Sequence, residues 1–338
     1  MLHSRTPRWE ELSASVYLSD EEILTKLDST GVIRLLERKQ TPGGPGEMLS
    51  FLEDQGLIAR DPRGGGSVTN LGAISAAHHL DEFGDISRKA MRVIVYDGTT
   101  RVKAVREQVG QKGYAISFEG LMGYVTGQLP QSEVIDKAFR RKMPMYPEIA
   151  LREIIANALI HQDFSVSGAG PKVEIFSDRI EVSNPGGLLP SKRIERLLST
   201  SSESRNEKLA KAFRLYHICE ERGSGLYRAG VEIEMYGLPP IRFDAEQNSF
   251  KVTLYAPRQF AQMTVNERLQ ACYQHAVIHC VAGSFMTNKS LRERLRMPEG
   301  RRSMVSVLIQ QAMDAGLIKP ADPENRSKKF MQYLPYWA

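Results

Sequence analysis

The stretch LREIIANALIHQDF, residues 151–164, decides how this chain folds and what it can hold. Its apolar residues lack the strict alternation of a strand, and Pro147 and Glu148 suit a first helical turn, so a helix is expected from Pro147 to about His161. On a helix, positions four apart share a face, which lines up Glu153, Asn157 and His161 as a carboxylate, an amide and an imidazole. Asn is a mediocre helix former, and its place among Ile155, Ala156, Ala158 and Leu159 asks for a reason beyond propensity. Magnesium prefers oxygen ligands and takes few from protein when phosphates and water supply the rest, so the Asn157 carbonyl fits as a metal ligand. Glu153, one turn earlier, is placed to polarise a water against a terminal phosphate. The plainer reading makes Glu153 a solvated carboxylate and Asn157 a surface amide. His161 reads equally well as a site residue or as a cation favoured at a helix C-terminus, and Asp163 either orients it or ends the helix.

Working outward, KVEIFSDRIEVSNP (172–185) is two alternating apolar runs joined by Ser177 to Arg179, the pattern of a β-hairpin, and Gly186, Gly187 and Pro190 break the second strand. KAMRVIVYDG (89–98) reads as a strand and YAISFEGLMGYVTGQL (114–129) as a helix. STSSESRN (199–206) is either a surface loop or a mobile lid. KLAKAFRLYHICEE (208–221) then gives an amphipathic helix ending at Gly223, a further helix is expected through Val231 to Tyr236, and FKVTLYAP (250–257) is a terminal strand. Glycines 186, 187, 223 and 225 allow close backbone approach to phosphate or base, and the second pair precedes a helix whose N-terminus favours anions. GSGLYRAG does not fit the dinucleotide fingerprint, and GxxxxGK[ST] occurs nowhere in the chain, so Rossmann and P-loop sites are excluded.

The chain has 338 residues, 41% apolar and 25% charged, which suits two or three packed units of a globular protein. No apolar run approaches membrane-spanning length and the N-terminus is unlike a secretory signal, so a cytoplasmic protein without membrane contact is expected. Three scattered cysteines exclude a disulfide framework. Charge is uneven: residues 1–85 carry 8 basic and 14 acidic side chains, whereas residues 261–338 carry 11 basic and 6 acidic. A polyanion should therefore be drawn to the C-terminal segment and repelled by the N-terminal one.

In the N-terminal segment, MLSFLEDQGLIA, RDPRGGG, SVTN and LGAISAA follow the helix, strand, glycine-rich turn, strand order of a winged helix. Gly64 to Gly66 fit a tight wing turn rather than a phosphate cradle. Beyond Pro257 the expected order is helix (about Asn266 to Ala282), helix (Lys289 to Met297), helix (Arg301 to Ala315), strand, turn, strand, again that of a winged helix-turn-helix. Arg292, Arg294, Arg296, Arg301 and Arg302 surround its turn, and Lys328 and Lys329 fall on its wing. That pattern suits a helix in a major groove with lysines on phosphates, although winged helices also bind proteins and short charge runs are often only solvated. Cys272, His275, His279 and Cys280 share one helix, but cysteine on an apolar stripe packs well in a core and no second ligand pair matches, so a metal is not expected there.

ExxxNAxxH, then NPGG, then RGSG is similar to the N box and the two glycine boxes of the Bergerat-fold (GHKL) ATPases. The wording YPEIALREIIANALIHQDFS, FSDRIEVSNPGG and SRNEKLAKAF with EERGSGL resembles the RecG-type ATP-binding branch that follows a Schlafen-type AlbA nucleic-acid-binding domain. The resemblance covers residues 85–258 and implies an α+β fold, a GHKL-type ATP-binding sandwich flanked by winged helices: an N-terminal unit 1–84, the ATP-binding unit 85–258 with its motifs in 147–258, and a winged helix-turn-helix unit 262–338. It implies ATP and Mg2+ as cofactors, Glu153 as water-activating base, Asn157 as magnesium ligand and Asn184 as the adenine contact. Nucleotide contacts are further expected from His161, Gly186, Gly187, Arg205, Gly223, Ser224, Gly225 and Thr253. Two departures stand out: the family places Asp where Asn184 stands, and no AlbA segment precedes the matched region in this sequence.

These readings converge on a slow, magnesium-dependent ATP-hydrolysing protein coupled to a nucleic-acid reader, double-stranded DNA being the expected partner, with a homodimer or protein partner beside it, in a transcriptional-regulatory or defence role. The alternative is a non-enzymatic DNA-binding regulator or adaptor with a vestigial nucleotide pocket.

Overall fold

The computed structural model describes residues 7–37, 42–136, 139–200, 203–219, 224–324 and 331–338, with backbone alone between 131 and 143. The chain is mixed α and β. Its N-terminal part holds α1 (Asp20–Lys26), α2 (Ser29–Leu35), α3 (Pro45–Asp54), a short ladder of β1 (Ile58–Arg60) with β2 (Gly66–Val68), and α4 (Asn70–Ala76). Then come β3 (Arg92–Tyr96), β4 (Ala104–Val109), α5 (Tyr114–Gln128), the pair β5 (Gln131–Asp136) and β6 (Phe139–Pro144), α6 (Glu148–His161), β7 (Lys172–Ile175), β8 (Arg179–Pro185), α7 (Glu207–Leu215), α8 (Gly225–Met235), β9 (Arg242–Ala245) and β10 (Ser249–Tyr255). The last part is α9 (Val265–Val281), α10 (Asn288–Arg294), α11 (Arg302–Asp314) and a ladder of β11 (Ile318–Pro320) with β12 (Tyr333–Pro335).

The organising element is a six-stranded sheet in the order β4-β3-β7-β8-β10-β9, parallel only between β3 and β7. The register sets Val93 beside Val173, Val173 beside Val182 and Val182 beside Val252, so one face is an apolar surface. The helix α6 packs on it, against β8, and carries α8 on its flank. Alternation sends Glu174, Glu181, Lys251 and Thr253 to the opposite face. There Arg101 binds the nearly buried carboxylate of Glu174 at 2.7 Å and also pairs with Glu181, which Arg179 holds at 2.7 Å. Thr253 is 2% exposed in that layer, whereas Val252 and Phe250 face the helices, so the expected nucleotide contact at Thr253 is corrected by strand periodicity.

Residue 84 does not separate two cores. One hydrophobic cluster runs from Leu18 through Phe118, Leu151 and Leu209 to Leu254. The N-terminal segment is also tied on by an aromatic and a polar contact: Trp9 stacks on Phe164 at 3.8 Å, and the buried Glu10 carboxylate accepts from the Leu209 amide at 2.6 Å in the first turn of α7. Gly65 in the β1–β2 turn has φ +67, and a Cβ there would lie 2.4 Å from the Leu18 carbonyl, which accounts for the glycine run as backbone geometry.

Several boundaries differ from the sequence reading. Rather than continuing to Gly223, α7 stops at Leu215, because His217 takes a left-handed φ of +54 and turns the chain. In turn, α8 starts at Gly225, six residues before Val231, and β9 pairs with β10 where no strand was expected. The helix α10 ends at Arg294, not Met297, and Arg296 adopts φ +51 beyond it.

The C-terminal part has its own core around Cys272, Val305 and Leu308, and it is joined to α8 by a buried charge cluster. Glu234 near the end of α8 meets Arg294 Nε at 3.1 Å and His275 Nδ1 at 2.8 Å, and Arg294 also donates to the Leu238 carbonyl at 2.7 Å. With its side chain 5% exposed, Arg294 is corrected from a phosphate contact to an internal tie. Arg296 is exposed and donates to the Met235 carbonyl at 3.1 Å, a second link to the end of α8. Removing one partner of such a pair strands a buried charge, and Arg294→Ala is expected to cost about 3–5 kcal/mol of stability, read by urea denaturation. Replacing both Arg294 and Glu234 by leucine should recover much of that loss. An unchanged midpoint for Arg294→Ala would show that the tie contributes nothing.

Candidate functional site

The site is built around the C-terminal half of α6. Pro147 starts the helix with φ −67, and apolar residues on nearly every side make it a buried helix. Its last carbonyls would be orphaned inside the protein, and they are satisfied from a distant segment. The Asn206 amide nitrogen donates to the carbonyls of Ile160 and Gln162, both at 2.8 Å, and Arg205 Nε donates to His161 at 3.1 Å. Other guanidinium nitrogens of Arg205 meet Asp163 at 3.3 Å and the Gly187 carbonyl at 2.8 Å. The residue thus staples the end of α6 to the glycine turn. It also lines the cleft wall, where a nucleotide contact is expected of it, with its guanidinium engaged in these contacts.

Between α6, the apolar sheet face and residues of 187–200 and 203–205 lies an open cleft. Glu153, Asn157 and His161 line it in one row, and Asn184, Val182, Phe250 and Val252 form its floor. Asn184 is 5% exposed and its amide nitrogen donates to the Pro185 carbonyl at 2.9 Å, which leaves the side-chain oxygen as its acceptor. Gly187 and Gly225 also line the cleft. Gly186 sits just behind, with φ +92 and no room for a side chain, since a Cβ would lie 2.7 Å from that of Asp163. Ser224 precedes the first residue of α8. Gly223 lies outside the described residues, as do Lys328 and Lys329 and part of the 199–206 segment.

Glu153 is 6% exposed and closely packed: a Cβ on Gly225 would fall 2.3 Å from its Oε2, and Arg228 approaches its Oε1 at 3.6 Å. A side chain at residue 225 would therefore displace the Glu153 carboxylate. The His161 imidazole is pushed down to about 4 by burial, with the positive charges of Arg205 and Lys192 adding to it. It is a neutral ring near pH 7, which corrects its reading as a helix-end cation. Lys192, Arg214, Glu203 and the apolar group Leu188, Leu189 and Leu226 also line the cleft, and the sequence reading missed them. Leu188 and Leu189 fall directly after NPGG and Lys192 shortly beyond them, and that closeness was the available signal.

Residues 168–254 match the family described as "Putative ATP-dependent DNA helicase recG C-terminal", a span holding β7, β8, the cleft segment, α7, α8 and β9 to β10. The chain is similar in fold to the crystal structure of the DIP2311 protein from Corynebacterium diphtheriae, with a TM-score of 0.60 and 16% identity over 98% of this chain. It spans 65% of that protein's length. No curated protein matches the chain. Among the described residues no helix is long and apolar enough to cross a membrane.

Because His161 is held below its ordinary value of 6.5, the unfolded chain binds a proton that the folded chain resists. Its contribution is complete above about 6.5 and is lost as pH falls toward about 4, where it levels off. Denaturation measured across that window should show stability falling with pH, and His161→Gln should flatten the fall. A variant with the parent's slope would remove His161 as the cause.

Proposed function

We propose that the cleft binds ATP with magnesium in a GHKL-type site and that nucleotide occupancy acts on a nucleic-acid-binding C-terminal winged helix. The observation that carries this reading is the row of Glu153, Asn157 and His161 along one wall, facing Asn184 on the floor and bounded by Gly187 and Gly225. The match to an ATP-dependent family over 168–254 supports it. The Asn184 side-chain oxygen accepts from the amino group of adenine. Asn157 offers magnesium one oxygen, a fitting donor for a hard cation otherwise held by phosphates and water. Held there, the ion would supply positive charge beside the phosphates. Glu153 takes a proton from a water as that water's oxygen bonds to the terminal phosphorus and the bond to ADP breaks.

Glu153→Gln is expected to keep ATP binding, measured by calorimetric titration with magnesium, and to slow phosphate release by about 100-fold or more. Hydrolysis at the parent's rate would reject Glu153 as the base. Asn157→Ala should lose the magnesium-dependent part of the affinity. One observation favours a second reading, a nucleotide sensor without turnover: the carboxylate that would activate water is shared with Arg228. Binding of ATP without any phosphate release by the parent would select it.

In the C-terminal unit, α9 to α11 are followed by the β11–β12 ladder, the element order of a winged helix. With Arg294 and Arg296 engaged internally, the nucleic-acid surface is the start of α11, where Arg301, Arg302, Ser303 and Ser306 are exposed, with Arg292 half-buried nearby. Replacing Arg301 and Arg302 by alanine should weaken binding of a labelled DNA duplex and lower the salt slope by about one for each phosphate no longer neutralised. Absence of duplex binding by the parent at low salt would remove this partner.

A further inference from the structure

Lys192 and Glu203 form an ion pair in the cleft lining and carry no role in the reading above. Both line the cleft, with Lys192 Nζ 3.6 Å from Glu203 Oε2, and the Ser191 hydroxyl donates to that same oxygen. The two side chains differ in freedom: that of Lys192 is 11% exposed and that of Glu203 is 49% exposed. The lysine is therefore anchored and the carboxylate is the partner that can leave. Both act on the imidazole of His161, Lys192 lowering its proton affinity and Glu203 raising it. The pair thus stands at the end of the row that carries Asn157. A neutral purine or ribose offers an ammonium acceptors but no counter-charge, so its charge complement on a nucleotide is phosphate.

We propose that Lys192 is a phosphate-binding residue of this cleft and that Glu203 occupies it in the nucleotide-free protein, as a built-in competitor for the same cation. The proposal rests on the nucleotide reading given above. A carboxylate oxygen and a phosphate oxygen make the same charge-assisted contact with an ammonium, so nucleotide entry is an exchange of one oxyanion for another. The exchange runs toward phosphate because a partly exposed ion pair is held weakly, while a triphosphate brings several negative charges to one point. Arg205 is a poorer candidate for this role, since its guanidinium is bound to His161, Asp163 and Gly187.

The test is a titration of the full chain, its Lys192→Met and Glu203→Gln variants and the double variant, with ATP plus magnesium and with adenosine. Lys192→Met should weaken ATP binding about tenfold or more, and Glu203→Gln should tighten it several-fold, with adenosine affinity unchanged in both. The double variant should show no tightening over Lys192→Met, because the competitor acts only through the lysine. Parental ATP affinity in both single variants overturns the proposal while leaving the nucleotide reading intact. Equal tightening for ATP and adenosine in Glu203→Gln also overturns it, since that outcome means a widened entrance rather than a vacated cation. Failure of every protein to bind either ligand overturns the nucleotide reading and this proposal with it.

Discussion

The site depends on how the C-terminal end of α6 is closed. A buried helix end leaves carbonyls that cost free energy unless something donates to them, and here Asn206 and Arg205 do so from a segment 44 to 46 residues away in sequence. This contact fixes where α6 stops, and so which face it turns toward the sheet. It also holds the glycine turn, because Arg205 reaches the Gly187 carbonyl as well. Without that closure the row of Glu153, Asn157 and His161 would have no fixed position opposite Asn184. Two residues that look from sequence like part of a polar loop thus set the geometry of the cleft.

The features legible in the sequence are those with a local cause. The helix over 148–161, the hairpin of β7 and β8 and the order of elements after residue 262 follow from periodicity, proline and capping residues close to each element. What escapes is set by tertiary partners or by strand pairing. Thr253 reads as a site residue until the register beside Glu181 sends it to the charged face. The helix α7 ends earlier than its pattern suggests because nothing in LYHICEE announces the left-handed turn at His217. The arginine run at 292–302 reads as one basic surface, yet Arg294 has a counter-charge in Glu234, 60 residues earlier in the chain.

That internal use of Arg294 bears on how the two ends of α8 relate. The helix begins at Gly225, pressed against Glu153, and near its other end Glu234 is held by Arg294 and His275 of the C-terminal part. Helices are stiff over 11 residues, so a shift at one end is carried to the other. The tie therefore supplies a contiguous route between the cleft and the surface that bears Arg301 and Arg302.

The cleft also has a common electrostatic plan. Glu153 stands by Arg228, Asp163 by Arg205 and Glu203 by Lys192, so these three acidic groups each face a cation of the same chain. These pairs offset part of the charge in this pocket, and Arg214 adds a further cation to its lining. A polyanion accompanied by a cation can enter it by exchanging partners, with less reorganisation than a bare cationic pocket would need. The cost is affinity, because each internal partner displaced must be rehydrated or rehoused. Selectivity then follows from which pairs can be exchanged. Arg205 is stapled at both ends of its guanidinium, whereas the Glu203 carboxylate is half exposed and free to turn outward, so the cleft should yield first at Lys192.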